Sequence, residues 1–590
     1  MSPVANQAAR ADGGRYQHKE TLLRPKQIGV GIALGVALII CWRAAEMRPA
    51  ALIEPNTAAS VWAFIRGLFP PDLSADFLRI VAAAAGQTIA IAIAGTTLSI
   101  LIAVPLSVMA TPTLWQRGVV LAGERAGAGT LLIGFMSRAT RGLLGFLRAV
   151  PDLVWALLFV VAVGLGSLAG TLALAVSYSA VLGRVYADVF EDVDSRPLEA
   201  LHALGATRTQ IFLRAIWPQA APSITAYTIY SFECCVRAAS VLGFIGAGGI
   251  GYEINLSMRL FNYGQVLTLI VALIALVAIT DIGSKFLRRR LHANAPAGSL
   301  AHQHLQNAKK PRLWLMPVGG VGNGTIVLIS TIVITWSFYA TGMFNAELID
   351  SGLLTRMGRF AGQMFPPDLA PAFLSSLWLP LIQTIGISVM GTLIGVTIGA
   401  FLALPATSTL VLAQDDAAGK RSRVEQILRW LSYDLARFTL NLLRSIPELV
   451  WVLICIVGVG LGPFAGTLAI GLHTGGVLGK FYAETLEEAP AQPIEALRAS
   501  GARPLQILLW GIWPQAKPML LSYTVLRWET NLRISTILGL VGGGGLGQAI
   551  YNNVQLGFYS RIGTLIAITY IMVMMTNWLG DQLRGRRATA

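Results

Sequence analysis

In the stretch GFIGAGGIGYEI, Gly246, Gly248 and Gly251 stand at the GxGxxG spacing of a phosphate-cradling turn. A second copy, GLVGGGGLGQAI, places Gly542, Gly544 and Gly547 at the same spacing 296 residues later. The chemistry of that spacing is close approach of backbone N–H groups to a pyrophosphate, and it requires a preceding strand and a βαβ unit. Acid–arginine pairs are the other candidates. Glu233 and Arg237 in FECCVRAAS, and Glu529 and Arg533 in WETNLRIST, lie four residues apart inside apolar stretches. Two readings follow: an intrahelical ion pair that only stabilises its helix, or arginines that line a path and meet an oxyanion. Arg148 with Asp152 and Arg444 with Glu448 repeat the spacing around Pro151 and Pro447, where a structural pair or a gate lock near the cytoplasmic surface is expected. His473 lies in a small-residue stretch and reads first as a packing histidine.

The elements that carry these residues are set by composition. Of the 590 residues 54% are hydrophobic and 13% charged, and the mean hydropathy is +0.62, the profile of a membrane protein. Apolar runs long enough to cross a bilayer recur from IGVGIALGVALIICW to IGTLIAITYIMVMMTNWLG. The net charge of +15 is concentrated in the first 27 residues, in the stretch from Lys285 to Arg312 and in the RGRR tail. Basic flanks of this kind mark the cytoplasmic side and account for the charge without nucleic acid. Cys41, Cys234, Cys235 and Cys455 form no CxxC, and His302 and His304 form an isolated HxH, so no metal site is expected. The first apolar segment, after its long polar leader, reads as a retained span.

The chain repeats itself. LFPPDLSADFL recurs as MFPPDLAPAFL, LRAVPDLVW as LRSIPELVW and AIWPQA as GIWPQA, each at a separation of 296 residues. The expected organisation is a cytoplasmic segment 1–27, a first module 28–290, a basic linker 291–322 and a second module 323–590. Spans in the first module are expected near 28–46, 86–110, 142–163, 168–185, 218–242 and 264–285. Six spans return the chain to its starting side, so N-terminus, linker and C-terminus all lie inside. The fold class is therefore an all-α polytopic membrane protein of two parallel repeats, with a pseudo-two-fold axis along the membrane normal. Gly391, Gly395 and Gly399, with Gly95, Ser99 and Ala103 in the other copy, suit close helix contacts.

Between the fourth and fifth spans lies SRPLEALHALGATRTQIFLRAIWP, matched by AQPIEALRASGARPLQILLWGIWP. Ser195 can cap a short helix, Pro197 fits its start and Gly205 its end. Leu198, Leu201 and Leu204 form an apolar stripe suited to a partner's groove. Glu-Ala-Leu, a glycine six residues after the Glu and a proline nineteen after it resemble the EAA loop of binding-protein-dependent ABC importer permeases, at Glu199, Ala200, Leu201, Gly205 and Pro218 and at Glu495, Ala496, Leu497, Gly501 and Pro514. LRSIPELVW, LHTGGVLGKFYAE and RWETNLRISTILGLVGGGGLG further resemble the phosphonate-type group of that superfamily. The first copy departs from it, with Ser177 in the place of His473 and Cys235 in that of Asn531.

The resemblance implies a fused permease in the cytoplasmic membrane of a prokaryote, importing a phosphonate or related phosphorus oxyanion by alternating access. Two ATP-binding cassette subunits, which hold ATP and Mg, would dock on the two EAA loops. An external binding protein would deliver solute, lipid would surround the chain, and neither a homodimer nor a cofactor on this chain is implied. The expected pathway residues are Glu233, Arg237, His473, Glu529, Asn531 and Arg533. The glycine turns, Gly246, Gly248, Gly249 and Gly251 with Gly542, Gly543, Gly544, Gly545 and Gly547, then read as loose backbone at an external gate rather than a nucleotide loop. No GxxxxGK[ST] occurs, which excludes a nucleoside-triphosphatase of the P-loop kind, and HExxH and GxSxG are also missing. Import of phosphate, phosphite or an amino acid, and a membrane sensor or scaffold, are the rival readings.

Overall fold

The structure is a computed structural model that describes residues 25–111, 128–292, 323–344, 351–411 and 423–585. The N-terminal basic segment to residue 24, the linker from 293 to 322 with its HxH, and the tail from 586 lie outside the described residues. The first repeat comprises α1 (Pro25–Ala44), α2 (Pro55–Gly67), α3 (Ala75–Ala110), α4 (Ala128–Ala149), α5 (Asp152–Val163), α6 (Ser167–Glu191), α7 (Ser195–Ala203), α8 (Trp217–Leu242), α9 (Ile250–Arg259) and α10 (Tyr263–His292). The second repeats it as α11 (Asn323–Ala340), α12 (Ser351–Gln363), α13 (Trp378–Ala406), α14 (Arg423–Ser445), α15 (Glu448–Val459), α16 (Pro463–Glu487), α17 (Ala491–Ala499), α18 (Trp513–Gly539), α19 (Gly545–Gln555) and α20 (Tyr559–Gly585). The molecule is an all-α polytopic membrane protein built by duplication. Among the described residues six helices are long and apolar enough to cross a membrane, or eight if each of two bent pairs is one span. Helices α16 and α18 fall outside that apolar test, although they take the places of α6 and the α8 span in the repeat.

The third span is not the single rod expected over 142–163. Helices α4 and α5 meet at 87°, and α14 and α15 at 97°. Pro151 and Pro447 stand at the corners in extended backbone. Proline has no N–H to continue the ladder and disfavours helical backbone in the residue before it. The carbonyl that loses its partner finds another: Trp155 Nε1 donates to the Leu147 carbonyl at 3.3 Å and Trp451 Nε1 to that of Leu443 at 3.1 Å.

Small residues set the helix spacing inside each repeat. A side chain at Gly391, Gly395 or Gly399 would meet Ile470, Thr474 or the backbone of Gly479, all on α16. In the first repeat Gly95 lies against Leu174, and Ser99 Oγ donates to the Leu174 carbonyl at 3.1 Å. The first helix of each repeat, by contrast, lies on the other repeat: α1 packs on α13 and α11 on α3. Gly386 of α13 sits so close to α1 that a Cβ there would stand 2.9 Å from the Cys41 carbonyl oxygen. Because α2 also leans on α15, and α12 on α5, the two modules are interlocked and share one core that includes Leu153 and Leu449.

Candidate functional site

At one end of the bundle the EAA segments fold as short helices, α7 and α17. Asp194, not Ser195, caps α7, its carboxylate accepting from the Arg196 N–H at 3.1 Å. Gly205 and Gly501 close the helices with φ of +77° and +79°, the left-handed region glycine enters without strain. The apolar stripe faces a different way from the one expected. Leu198 and Ile494 are buried, and Leu201 and Leu497 pack on the chain's own clusters, because the following turn folds back beneath them. Leu201 and Leu497 therefore seat the helices, and the outward face carries Glu199, Ala200 and Leu204 in one and Glu495, Ala496 and Ser500 in the other. Just before Pro218 and Pro514 the chain makes a wide π-turn, Phe212–Ile216 and Ile507–Ile512, which absorbs the missing proline N–H.

A clamp ties these ends to the membrane helices. Arg437 donates to the Ala406 carbonyl at 3.0 Å and to Glu487 at 2.6 Å, and Glu487 accepts from the Ser408 N–H at 2.6 Å. In the first repeat Arg141 donates to the Ala110 carbonyl at 2.7 Å and to Glu191. Both acids stand at the last turn of the helix that leads into α7 or α17.

At the other end the glycine turns are anchored rather than loose. Gly249 N–H donates to Gln87 Oε1 at 2.8 Å and Ile250 N–H to Thr88 Oγ1 at 3.0 Å; Gly545 and Leu546 make the same bonds to Gln383 and Thr384 at 3.2 and 2.8 Å. Gly166 N–H donates to the Gly246 carbonyl, and Gly462 N–H to that of Gly542. A Cβ on Gly251 would fall 1.8 Å from the Ser240 carbonyl oxygen, and one on Gly547 1.8 Å from that of Thr536. Gly246, Gly248, Gly249, Gly542, Gly544 and Gly545 all have positive φ, while Gly543 lies under the Leu538 carbonyl. The turns sit where α8 and α18 end and α9 and α19 begin, with no strand near them.

Between these ends the two repeats differ. In the second, Glu448 Oε1 lies 3.1 Å from His473 Nε2 and 3.5 Å from Arg527 Nη2. His473 Nδ1 pairs with the Ile446 carbonyl at 3.1 Å. Arg527 Nε donates to Thr474 Oγ1 at 3.4 Å, Thr474 to Asn531 Oδ1 at 3.1 Å, and Asn531 Nδ2 to Thr392 Oγ1 at 2.9 Å. Glu448 is thus not locked to Arg444, whose Nε donates to Asn441 instead, at 3.2 Å. The corner at Pro447 swings Glu448 away from the preceding helix and into the bundle, so the expected lock is replaced by a contact among α15, α16 and α18. In the first repeat Asp152 likewise leaves Arg148 and accepts from Ser177 Oγ.

The fifth-span pairs split. Arg237 Nη2 lies 3.3 Å from Glu233, which also accepts from Ser284 at 3.0 Å. Glu529 instead pairs with Arg584 Nη1 of α20 at 2.8 Å. Its expected partner Arg533 has Arg148 and Asp152 of the first repeat among its charged neighbours, as Arg237 has Glu448, His473 and Arg527 of the second. Each fifth-span arginine therefore lies within electrostatic reach of charged groups of the opposite repeat, while Arg237 keeps its contact with Glu233 and Arg533 still feels Glu529. Sequence reading quoted Arg527 only as the first residue of RWETNLRISTILGLVGGGGLG and gave it no role, because Ser231 occupies its place in the other copy; its position two residues before Glu529 in a charged span was the available signal.

The family described as binding-protein-dependent transport system inner membrane component matches the chain twice, over residues 118–293 and 426–586. The chain is 29% identical over 557 residues to the phosphate-import permease protein PhnE of Mycolicibacterium smegmatis, an alignment that covers 93% of each. To the phosphite transport system permease protein PtxC of Stutzerimonas stutzeri it is 33% identical over 262 residues, 44% of this chain and 88% of that one. Among solved structures, an inward-facing form of the MetNI methionine ABC transporter is similar at 24% identity and a TM-score of 0.32, over 38% of this chain and 100% of that chain.

Proposed function

The chain belongs to the inner-membrane components of binding-protein-dependent transport systems, and from that premise we propose that it is the fused permease of an ATP-driven importer for a phosphorus oxyanion: phosphate, phosphite or a phosphonate. The observation that carries the solute is the end-to-end similarity to a protein named for phosphate import, joined to arginines held inside the membrane where an oxyanion would pass. As a multi-pass permease of this family it works with ATPase subunits and a solute-binding protein.

The finer reading has one chain serve two cassettes, one on Glu199 and Ala200 and one on Glu495 and Ala496, with ATP and Mg held by the cassettes. Closure of the cassettes would move α7 and α17 together, and the arginine clamps would pass that motion to α3, α6, α13 and α16. The two repeats then rock about their common axis, opening the arginine-lined middle alternately outward and inward. In this reading the termini and linker are cytoplasmic, the external protein meets the side of the glycine turns, and no second copy of the chain is needed. The chain performs no chemistry itself.

Uptake into proteoliposomes holding the chain, its cassettes and its binding protein tests the proposal. Accumulation of labelled phosphate, phosphite or methylphosphonate that requires ATP is expected. An ATP-dependent uptake confined to amino acids would overturn it, and native mass measurement with two copies of the chain per complex would overturn the one-to-two assembly.

A further inference from the structure

The contact of Arg527 with Glu448 is a charge contact at 3.5 Å, and Arg527 Nη2 is buried without a hydrogen-bond partner. A buried guanidinium nitrogen left unbonded is costly, and it asks for an oxygen. The guanidinium is tied elsewhere by one bond. Its Nε is tied through Thr474 and Asn531 to Thr392, a relay that joins α18, α16 and α13. The side chain is 15% exposed, and Arg237 of the other repeat, 42% exposed, stands within electrostatic reach. A guanidinium held through Nε, whose Nη2 faces a carboxylate at 3.5 Å without a close hydrogen bond, is an arrangement in which a tetrahedral oxyanion can take the carboxylate's place.

Glu448 shares its Oε1 between Arg527 and His473. The imidazole already faces a carbonyl oxygen through Nδ1, so its Nε2 meets the carboxylate favourably with a proton between them, on either atom. That bond gives Glu448 a second anchor when its contact with Arg527 is lost.

We infer that the second repeat alone holds a membrane-embedded oxyanion subsite on Arg527, and that Glu448 is its internal competitor, retained by His473 when a phosphorus oxyanion takes the guanidinium. The inference rests on the proposed solute class and adds the residue, the count and the exchange. The first repeat has no equivalent: Ser231, Ser177, Tyr178 and Cys235 stand where Arg527, His473, Thr474 and Asn531 do, so one chain binds one anion in its middle. Binding would consume no covalent bond, and the carboxylate exchange leaves the charge on Glu448 with the His473 proton.

The test uses the complete complex with its cassettes, with inorganic phosphate and methylphosphonate as probes. In proteoliposomes the paired change Glu448→Gln with Arg527→Met removes both charges together, so neither is stranded. The chain is expected to insert and to co-purify with its cassettes and binding protein, while uptake falls roughly 10- to 100-fold, the worth of one hydrogen bond to a charged group. Arg527→Lys should restore part of the uptake. Glu448→Gln alone frees the guanidinium, and equilibrium dialysis of the solubilised complex without binding protein should give tighter phosphate binding than the unaltered chain, at one per chain. Wild-type uptake in the paired variant, unchanged binding in Glu448→Gln, or two anions per chain would each overturn the subsite while leaving the importer reading intact. A wild-type complex that imports no phosphorus oxyanion would remove both.

Discussion

The two repeats agree at their ends and disagree in their middle. At the glycine turns the paired hydrogen bonds differ by at most a few tenths of an ångström, and the Tyr186–Thr228 and Tyr482–Thr524 contacts are both 2.5 Å. The arginine clamps beside α7 and α17 use the same residue types on the same carbonyls. Midway, an amide bridging two threonines in one repeat is replaced by Cys235 in the other, although Thr392 and Thr96 each donate to a carbonyl of their own helix, Ser388 and Ala92. The difference separates two kinds of constraint. Ends built on the same turn geometry are held alike in both copies, whereas in the proposed reading a path between the repeats meets one solute and leaves the copies free to divide the work.

The sharpest way to break the comparison is at the end held alike. Gly251→Ala and Gly547→Ala each place a methyl 1.8 Å from a carbonyl oxygen of the preceding helix, where no side-chain motion can relieve it. Both variants should fail to accumulate in membranes, to the same degree, as read by immunoblot. A normal level of either would show that the turn is looser than its hydrogen bonds imply. The middle should behave in the opposite sense. Asn531→Cys strips a buried amide from Thr392 and Thr474 and should cost about 1 to 3 kcal/mol. Cys235→Asn should also destabilise, since Tyr178 stands in the place of Thr474, whose hydroxyl donates to the amide oxygen in the other repeat. If Asn531→Cys unfolds at the wild-type temperature in detergent, the relay does not hold the bundle.

Smaller effects are expected at the turns that close α7 and α17. Gly205 and Gly501 have positive φ but open space around them, so alanine meets only the left-handed strain, roughly 1 to 2 kcal/mol. Gly205→Ala and Gly501→Ala should leave the chain inserted, with transport-linked ATPase reduced equally in the two. A loss confined to one repeat would mean that the cassettes do not read the two helices alike.

What the sequence made legible follows from what a repeat and a hydropathy profile record. The 296-residue period, the all-α class, the EAA helices and their terminal glycines are properties of local chemistry, and the structure has them. The exchange of α1 and α11 between the repeats was hidden, because a helix that packs on its own module and one that packs on its neighbour need the same apolar surface. The right-angled corners at Pro151 and Pro447 were signalled by the prolines but absorbed into one apolar run. Partner choice was the least legible feature. The i, i+4 spacing suggested Glu529 with Arg533, yet a buried acid takes whichever cation the packing supplies, and the end of α20 supplies Arg584. Arg527 was given no role for the converse reason: it has no counterpart at Ser231, and a comparison of copies favours what they share.

The smallest effect, and the cleanest swap between repeats, lies in the loops before α3 and α13. Ser74 N–H donates to Asp72 Oδ1 and Ala370 N–H to Asp368 Oδ1, both at 3.0 Å, and Thr268 and Thr564 donate to the Asp72 and Asp368 carbonyls. One partner differs: Gln265 donates to Asp72 Oδ2 at 3.2 Å, and Arg561 to Asp368 Oδ2 at 3.1 Å. Both carboxyls are held below the ordinary aspartate value, Asp72 by Ser74 and then Gln265, Asp368 first by the Ala370 N–H and then by Arg561. A lowered value in the folded state means that each acid contributes stability above its unfolded value, near pH 4, and loses it as pH falls through the folded value. Since the leading cause in each loop is the hydrogen bond from residue 74 or 370, Arg561→Gln should leave the acid loss in place. It should remove only the part of it that added salt screens, because a half-exposed ion pair is weak and a neutral amide is insensitive to ionic strength. Thermal unfolding of the solubilised complex across that pH range, at low and high salt, reads the difference. A salt response unchanged by Arg561→Gln would place it elsewhere in the molecule, and an acid loss abolished by the same change would make the arginine, not the backbone N–H, the group that holds Asp368 ionised.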